Sequence, residues 1–270
     1  VRIEQALADC GLEPREARLL LAEATGFSQA SVLAHPEREL EAGAEARFLD
    51  WTARRRAGEP VAYVLGKREF YGLSLAVNRA VLIPRPETEL LVELALARLA
   101  PQAAARVLDL GTGSGALALA IKRHRPHTRV IAVEADLFAT QTAMRNAARL
   151  GLDIELRHGR WFEPVRGERF ALVVSNPPYV AEGDPHLARG DLRFEPRSAL
   201  AAGVDGLDAL RAIAASAAAH LEAGGWLLLE HGQGQDAAVR ALLVAGGLEE
   251  VASWPDLAGI ARVTGGTLKS

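Results

Sequence analysis

From residue 105 to the end, short apolar runs alternate with longer stretches whose apolar residues recur every three or four positions. The first pattern predicts buried strands and the second predicts amphipathic helices. Strands are predicted around Leu108, Ile131, Leu156, Val173, Leu228, Glu250 and Val263. With the intervening helices, the order is strand, helix, strand, helix, strand, strand, helix, strand, helix, strand, strand. Such alternation implies an α/β fold, a doubly wound parallel sheet that binds its ligands at the carboxyl ends of the strands. The last two strands lie close together in sequence and are expected to form a hairpin beside the parallel ones.

Residues 1–58 carry a helical pattern instead. Pro14 suits a first helical turn, and Ala17, Leu20, Leu21 and Ala24 fall on one face. Gly26 can end that helix and Ser28 can cap the next. A longer helix is expected from Ala42 to Arg56, burying Leu49 and Ala53 with Phe48 or Trp51, and closed by Gly58-Glu59-Pro60. Between residues 61 and 83 the pattern alternates, and Tyr63–Gly66 with Phe70–Leu73 reads as a small hairpin. A proline-punctuated turn, Leu82-Ile83-Pro84-Arg85-Pro86-Glu87-Thr88-Glu89, then opens a helix with Leu90, Leu91, Leu94 and Leu96 on its apolar face. The acids at that helix start suit its dipole. The predicted division is a helical domain at 1–58, a β-hairpin linker at 59–84 and an α/β domain at 85–270.

Composition narrows the setting. Of 270 residues, 49% are hydrophobic and 24% charged, which suits a globular domain rather than a disordered chain. The formal net charge of -3 provides no global field for nucleic acid, although Arg54-Arg55-Arg56 and the stretch Arg123–Arg129 could form local basic patches. A single cysteine, Cys10, excludes an internal disulfide and a thiolate metal cluster, and it lies in an apolar helical stretch where it is expected to be core. No long uncharged apolar run or signal-peptide pattern is evident, so a cytoplasmic setting with no membrane partner and no metal is expected.

Two segments carry chemistry. Val107–Leu110 leads into Gly111-Thr112-Gly113-Ser114-Gly115 and then into an apolar helix, the strand–glycine turn–helix arrangement that brings backbone close to a ligand. With Ala116 this segment also fits the looser dinucleotide fingerprint. The next strand ends at Glu134, where a ribose diol would be bound. Asp109, Glu134 and Asn176 all fall at the carboxyl ends of predicted strands. Asn176 opens the second segment, Asn176-Pro177-Pro178-Tyr179, directly after the apolar run ending in Ser175. Two prolines cannot continue a ladder, so the strand must stop in a stiff turn. That turn offers two acceptors for a planar NH2 group, the Asn176 side-chain oxygen and the Pro177 carbonyl, with Tyr179 to pack on its face. A hydride transfer has no use for such a receptor, whereas methylation of an amide or amine nitrogen has. Asn-Pro is also an ordinary turn opener, so the glycine loop upstream tips the balance toward chemistry. The Asn176 NH2 group is itself expected to be pinned by a neighbouring acceptor. His231, near a strand end, is not expected to serve as a base.

These motifs, with Gly58-Glu59-Pro60-Val61-Ala62-Tyr63, Ile83-Pro84-Arg85-Pro86-Glu87-Thr88-Glu89, Arg193-Phe194-Glu195-Pro196 and Glu230-His231-Gly232, make nearly the whole chain resemble the peptide chain release factor glutamine methyltransferases. The resemblance implies a seven-stranded, Rossmann-like class I methyltransferase domain, with an N-terminal helical domain that recognises the protein substrate. It implies S-adenosyl-L-methionine as cofactor, held by Asp109, Gly111, Thr112, Gly113, Ser114, Gly115, Glu134, Trp161 and Asn176. It also implies, as substrate, the glutamine of the Gly-Gly-Gln motif of class I release factors, received by Asn176, Pro177, Pro178 and Tyr179, with Asn176 and Pro177 catalytic. No direct nucleic-acid substrate is expected. The chain departs from the family at Arg160, where Gly-Asp-Trp-Phe is usual and Gly159-Arg160-Trp161-Phe162 stands. Arginine cannot accept from an adenine amine as an acid would. Arg85, Glu87, Arg193 and Glu195 have family-specific surroundings but no role beyond salt bridges that the sequence defines. Two rivals remain at this level. One is a DNA adenine or RNA guanine amino-methyltransferase acting on a flipped base; the other is a protein that holds a nucleoside cofactor without turnover.

Overall fold

The first 65 residues are helical, for reasons visible at the helix ends. They form α1 (Ile3–Asp9), α2 (Pro14–Thr25), α3 (Gln29–Ala34), α4 (Ala42–Arg56) and α5 (Val61–Leu65) in the computed structural model, which describes residues 1–102 and 104–270. Helix α2 begins on Pro14 and stops at Gly26, whose φ of 75° places it in the left-handed region and whose amide donates to the Ala22 carbonyl. Ser28 caps α3, its hydroxyl accepting from the Ser31 amide at 3.1 Å. Ala17, Leu20, Leu21 and Ala24 are all buried, packed with Ile3, Cys10, Val32 and Phe48.

Two expectations for this region need correction. In α4 the buried face is Ala44, Phe48 and Thr52, while Leu49 is 59% exposed and Ala53 is also exposed. A polar residue can hold the buried position because the Thr52 hydroxyl donates to the Leu49 carbonyl at 3.0 Å. The second concerns Tyr63–Gly66, which is not a strand. Pro60 accepts from the amides of Tyr63 and Val64, and Gly66 ends the turn of helix with a φ of 68°. The hairpin that follows is β1 (Lys67–Phe70) and β2 (Leu73–Ala76), turning at Tyr71-Gly72, both with positive φ. That is the conformation two-residue hairpin turns require.

Contacts divide the chain into two compact units. The first is residues 1–67 together with 189–194, and the second is residues 68–188 and 195–270. Within the first, Arg193 donates to the Ala57 carbonyl at 3.1 Å, and Arg55 reaches both Glu16 and Asp191. Arg54 makes a bidentate pair with Glu59 at 2.8 and 3.1 Å. Two members of the arginine run are thus engaged with carboxylates of their own unit.

The second unit holds α6 (Glu89–Arg98), β3 (Arg106–Leu110), α7 (Ala116–His124), β4 (Arg129–Glu134), α8 (Leu137–Leu150), β5 (Glu155–His158), β6 (Phe170–Ser175), α9 (Asp208–His220), β7 (Leu221–Glu230), α10 (Asp236–Ala245), β8 (Glu249–Pro255) and β9 (Ala261–Thr267). The element order is the predicted one. One seven-stranded sheet runs β5-β4-β3-β6-β7-β9-β8, parallel from β5 to β7, with β9 antiparallel to both its neighbours. Its two faces are covered separately. One core joins β-strand residues to Leu91, Val92 and the apolar face of α7, and the other joins them to Leu210, Ile213, Val239 and Leu243. In α6 the fully buried residues are Leu91, Val92 and Ala95; Leu90, Leu94 and Leu96 are half-buried. Near the end of α6 the Arg98 guanidinium lies between two rings, 4.0 Å from the centre of Trp226 and 4.6 Å from that of Trp254.

A buried amide ties the hairpin to the glycine loop. Asn146 on α8 is fully buried; its Oδ1 accepts from the Ala76 amide at 2.7 Å, and its Nδ2 donates to the carbonyls of Ala76 and Ser114. Asn146→Ala leaves these partners without their bonds. It is expected to destabilise the protein by about 2 kcal/mol, measured as a lowered denaturation midpoint. An unchanged midpoint would mean that the amide is dispensable.

Candidate active site

The site begins with strand pairing. Parallel β3 and β6 put Leu110 opposite Ser175, and the Ser175 hydroxyl donates to the Leu110 carbonyl at 2.6 Å. One residue further on, the glycine loop and Asn176 leave the same edge of the sheet together. The strand order reverses here, β4 lying on one side of β3 and β6 on the other. Such a switch point opens a crevice. A cavity of 640 Å³ occupies it, walled by Gly111–Ser114, Glu134, Asp136, Trp161, Asn176, Pro178 and Thr88, and by the stretch around Ser198–Gly203.

The loop needs its glycines. Gly111, Gly113 and Gly115 have φ of 71°, 57° and 85°, and a Cβ on Gly111 would meet the Trp161 ring at 3.5 Å. Beneath the loop, Asp109 is buried and accepts from the Thr112 hydroxyl at 2.6 Å and the Ala118 amide at 3.2 Å. It braces the turn from behind and does not line the cavity. Gly115, Pro177 and Tyr179 likewise lie off the cavity wall. Gly115 precedes α7, and the Tyr179 ring packs against the second core while its hydroxyl donates to Glu230 Oε1 at 3.2 Å.

Glu134 is held in place before any ligand is considered. Its Oε2 accepts from the Gly113 amide at 2.9 Å, and its Oε1 accepts from the amides of Ala135 and Asp136. Oε2 keeps a lone pair for a hydroxyl donor. Trp161 has a φ of 49°, and its Nε1 is buried with no hydrogen-bond partner. Arg160 stands exposed on the same wall. Asn176 donates from Nδ2 to the Thr88 hydroxyl at 3.1 Å, which is the pinning acceptor that the sequence left unnamed.

Glu195, for which the sequence suggested only a salt bridge, makes one with Arg85. It is buried and also accepts from the Ile83 amide at 3.0 Å, so it fixes the proline turn that carries Thr88. The two family-specific segments are thus joined to each other, a pairing that their spacing in sequence does not reveal.

Burial is the largest influence on two other acids. It pushes Asp109 up to about 7, against the hydrogen bonds from Thr112 and Ala118. Burial does the same to Glu230, also to about 7, against Thr88 and Tyr179, whose hydroxyls favour its charged form. Burial beside Glu230 raises Tyr179, and burial lowers His231. His231 is fully enclosed, its ring nitrogens within 2.8 Å of Thr264 Oγ1 and 3.0 Å of the Gly232 carbonyl oxygen. Among the described residues, no cluster of His, Cys, Asp or Glu is arranged for a metal, and no helix is long and apolar enough to cross a membrane.

A seven-stranded sheet of this order, with a glycine loop after β3 and an acid closing β4, defines a class I methyltransferase dependent on S-adenosyl-L-methionine. Solved structures share the fold: a methyltransferase from Pyrococcus furiosus, 17% identical, with a TM-score of 0.57 over 82% of this chain and 99% of that one. So does the Thermus thermophilus 16S rRNA N2 G1207 methyltransferase in complex with AdoMet and guanosine, 23% identical, with a TM-score of 0.57 over 75% of this chain and 50% of that one. The Methyltransferase small domain family matches residues 87–191, and the PrmC N-terminal domain family matches residues 2–66. The release factor glutamine methyltransferase of Xylella fastidiosa strain Temecula1 is 51% identical over 94% of this chain and 93% of its own length. The chain belongs to the release factor glutamine methyltransferase family.

The residues present fit the cofactor of that class. The cavity is of the size small-ligand sites have, the loop lets backbone approach, Glu134 retains acceptor capacity, and the Trp161 indole N–H is an orphaned donor on the wall. Glu134→Ala is expected to weaken S-adenosylmethionine binding at least tenfold, by loss of charge-assisted bonds worth about 1.5–3 kcal/mol each. Calorimetric titration of the folded variant checks this; unchanged affinity would remove Glu134 from the site.

A second expectation follows from Asp109. Its folded pKa lies above its unfolded value, so the folded state holds the proton that the unfolded state loses. Its contribution to stability is therefore fully present below about pH 4 and is lost as pH rises toward about 7. Asp109→Asn should gain melting temperature relative to the parent as pH rises across this window. A melting difference independent of pH would show that the carboxyl is not titrating there.

Proposed function

We propose that this chain transfers a methyl group from S-adenosyl-L-methionine to the side-chain amide nitrogen of the glutamine in the Gly-Gly-Gln motif of class I peptide chain release factors. The observation that carries this reading is the placement of Asn176: its amide lies on the cavity wall beside the glycine loop, with its NH2 already engaged by Thr88. The Oδ1 atom is left as the acceptor. The cofactor, when bound, supplies an electrophilic methyl group.

An amide nitrogen is a weak nucleophile because its lone pair is delocalised into the carbonyl. Asn176 Oδ1 on the cavity wall, and the carbonyl of Pro177, which sits off the wall between the wall residues Asn176 and Pro178, accept the two N–H bonds of the substrate glutamine, hold its nitrogen, and push electron density back onto it. They also stabilise the positive charge that develops on nitrogen as the methyl group is transferred, until one of the two N–H protons is lost to solvent water. The proline turn gives these acceptors a fixed spacing, which is the entropic part of the acceleration. Glu134, Trp161 and the glycine loop hold the cofactor, and the N-terminal helical segment, residues 1–58, recognises the protein substrate. A release-factor substrate would be met where translation runs, which supports a cytoplasmic setting. A nucleic-acid substrate is less well supported, since Arg54 and Arg55 are already paired with Glu59, Glu16 and Asp191.

Incubating a class I release factor with enzyme and cofactor should add about 14 Da to its intact mass, the replacement of one hydrogen by one methyl group, located by fragmentation at the motif glutamine. Asn176→Ala should bind cofactor with near-normal affinity and lose turnover by about 10²-fold or more. A labelled oligonucleotide with an unlabelled release factor would instead point to a base methyltransferase. Full turnover in Asn176→Ala would reduce the Asn-Pro-Pro-Tyr segment to a turn.

A further inference from the structure

We infer that Thr88 is a positioning residue for the methyl transfer: its hydroxyl fixes which way the Asn176 amide faces, and the buried Glu230 carboxylate fixes the hydroxyl. This rests on the reading of Asn176 as an acceptor for the substrate amide.

The argument starts from symmetry. A side-chain amide has an oxygen and an NH2 group of nearly equal size, and turning it over exchanges an acceptor for a donor. An acceptor site for a substrate NH2 fails if its own NH2 faces the substrate. Something must break that symmetry. The Thr88 hydroxyl does so by accepting from Asn176 Nδ2 at 3.1 Å.

Thr88 is 4% exposed and has one proton to donate. Glu230, 1% exposed, lies near enough that this hydroxyl favours its charged form, and its buried Oε2 has no other hydrogen-bond partner. With the proton directed at a carboxylate, the hydroxyl oxygen turns its lone pairs outward, and the orientation of Asn176 follows. Glu230 also accepts from the Tyr179 hydroxyl at 3.2 Å. Both polar side chains of Asn176-Pro177-Pro178-Tyr179 therefore end on one buried acid, Tyr179 directly and Asn176 through Thr88. The position of Thr88 is in turn set by Glu195, which ties down Ile83 and Arg85 at the start of the same turn.

The test compares Thr88→Val, nearly the same shape without the hydroxyl, with Thr88→Ser, which restores it. Both are made in the full chain and assayed on a class I release factor beside Asn176→Ala. Thr88→Val should lower kcat about tenfold, the loss of one neutral hydrogen bond, with KM for release factor and Kd for S-adenosylmethionine within about twofold. Thr88→Ser should recover most of kcat. Independently of turnover, the Asn176 side-chain 15N–1H2 resonances should be resolved and slowly exchanging in the parent and in Thr88→Ser, and exchange-broadened in Thr88→Val. Wild-type kcat in Thr88→Val, or equal impairment in Val and Ser, overturns the inference while Asn176→Ala remains inactive. An active Asn176→Ala would overturn the functional reading itself.

Discussion

The parallel pairing of β3 with β6 is the constraint from which the site follows. The two strands begin 64 positions apart in sequence, at Arg106 and Phe170, yet their register sets Leu110 beside Ser175. A glycine loop and a proline turn, each unable to continue a strand, then diverge from adjacent positions. A shift of one residue in this register would turn every side chain of β6 to the opposite face. It would also carry Asn176 away from the loop. The apolar residues of β6, buried on both faces, make such a slip costly. Core packing and active-site alignment are therefore enforced by the same residues.

Three buried acids serve this arrangement, and their environments differ. Glu195 has a guanidinium partner, Arg85, and a backbone amide, so its charge is compensated where it sits. Asp109 and Glu230 have only hydroxyl and amide donors, and burial raises their pKa values toward neutrality. An acid compensated by neutral dipoles holds its neighbours in position without a strong local field.

The sheet was largely legible in the sequence because its signals are local. Apolar runs such as Phe170–Ser175 and the punctuation by Gly26, Ser28 and Pro177 fix where elements start and stop within a few residues. Short ambiguous segments were less legible. Tyr63–Gly66 alternates like a strand, yet Pro60 and Gly66 bound one turn of helix. Leu49 looked like core, but Thr52 could satisfy its hydroxyl locally and take the inward position. The connections behind Asn176 were not legible. Thr88 lies 88 residues away in sequence, and Glu195 lies 110 residues from Arg85. Periodicity carries no information on such pairs. The joining of Arg189–Phe194 to the helical unit was hidden for the same reason.

The four tryptophans occupy separate stations. Trp51 lies in the helical unit, Trp226 and Trp254 flank Arg98, and Trp161 stands alone on the cavity wall. Phenylalanine at the first three positions would keep aromatic faces for Arg98 and leave a single indole, with an unpartnered N–H, on the wall of the candidate cavity. The chain thus carries its own optical reporter of cavity filling, readable by fluorescence without any attached dye.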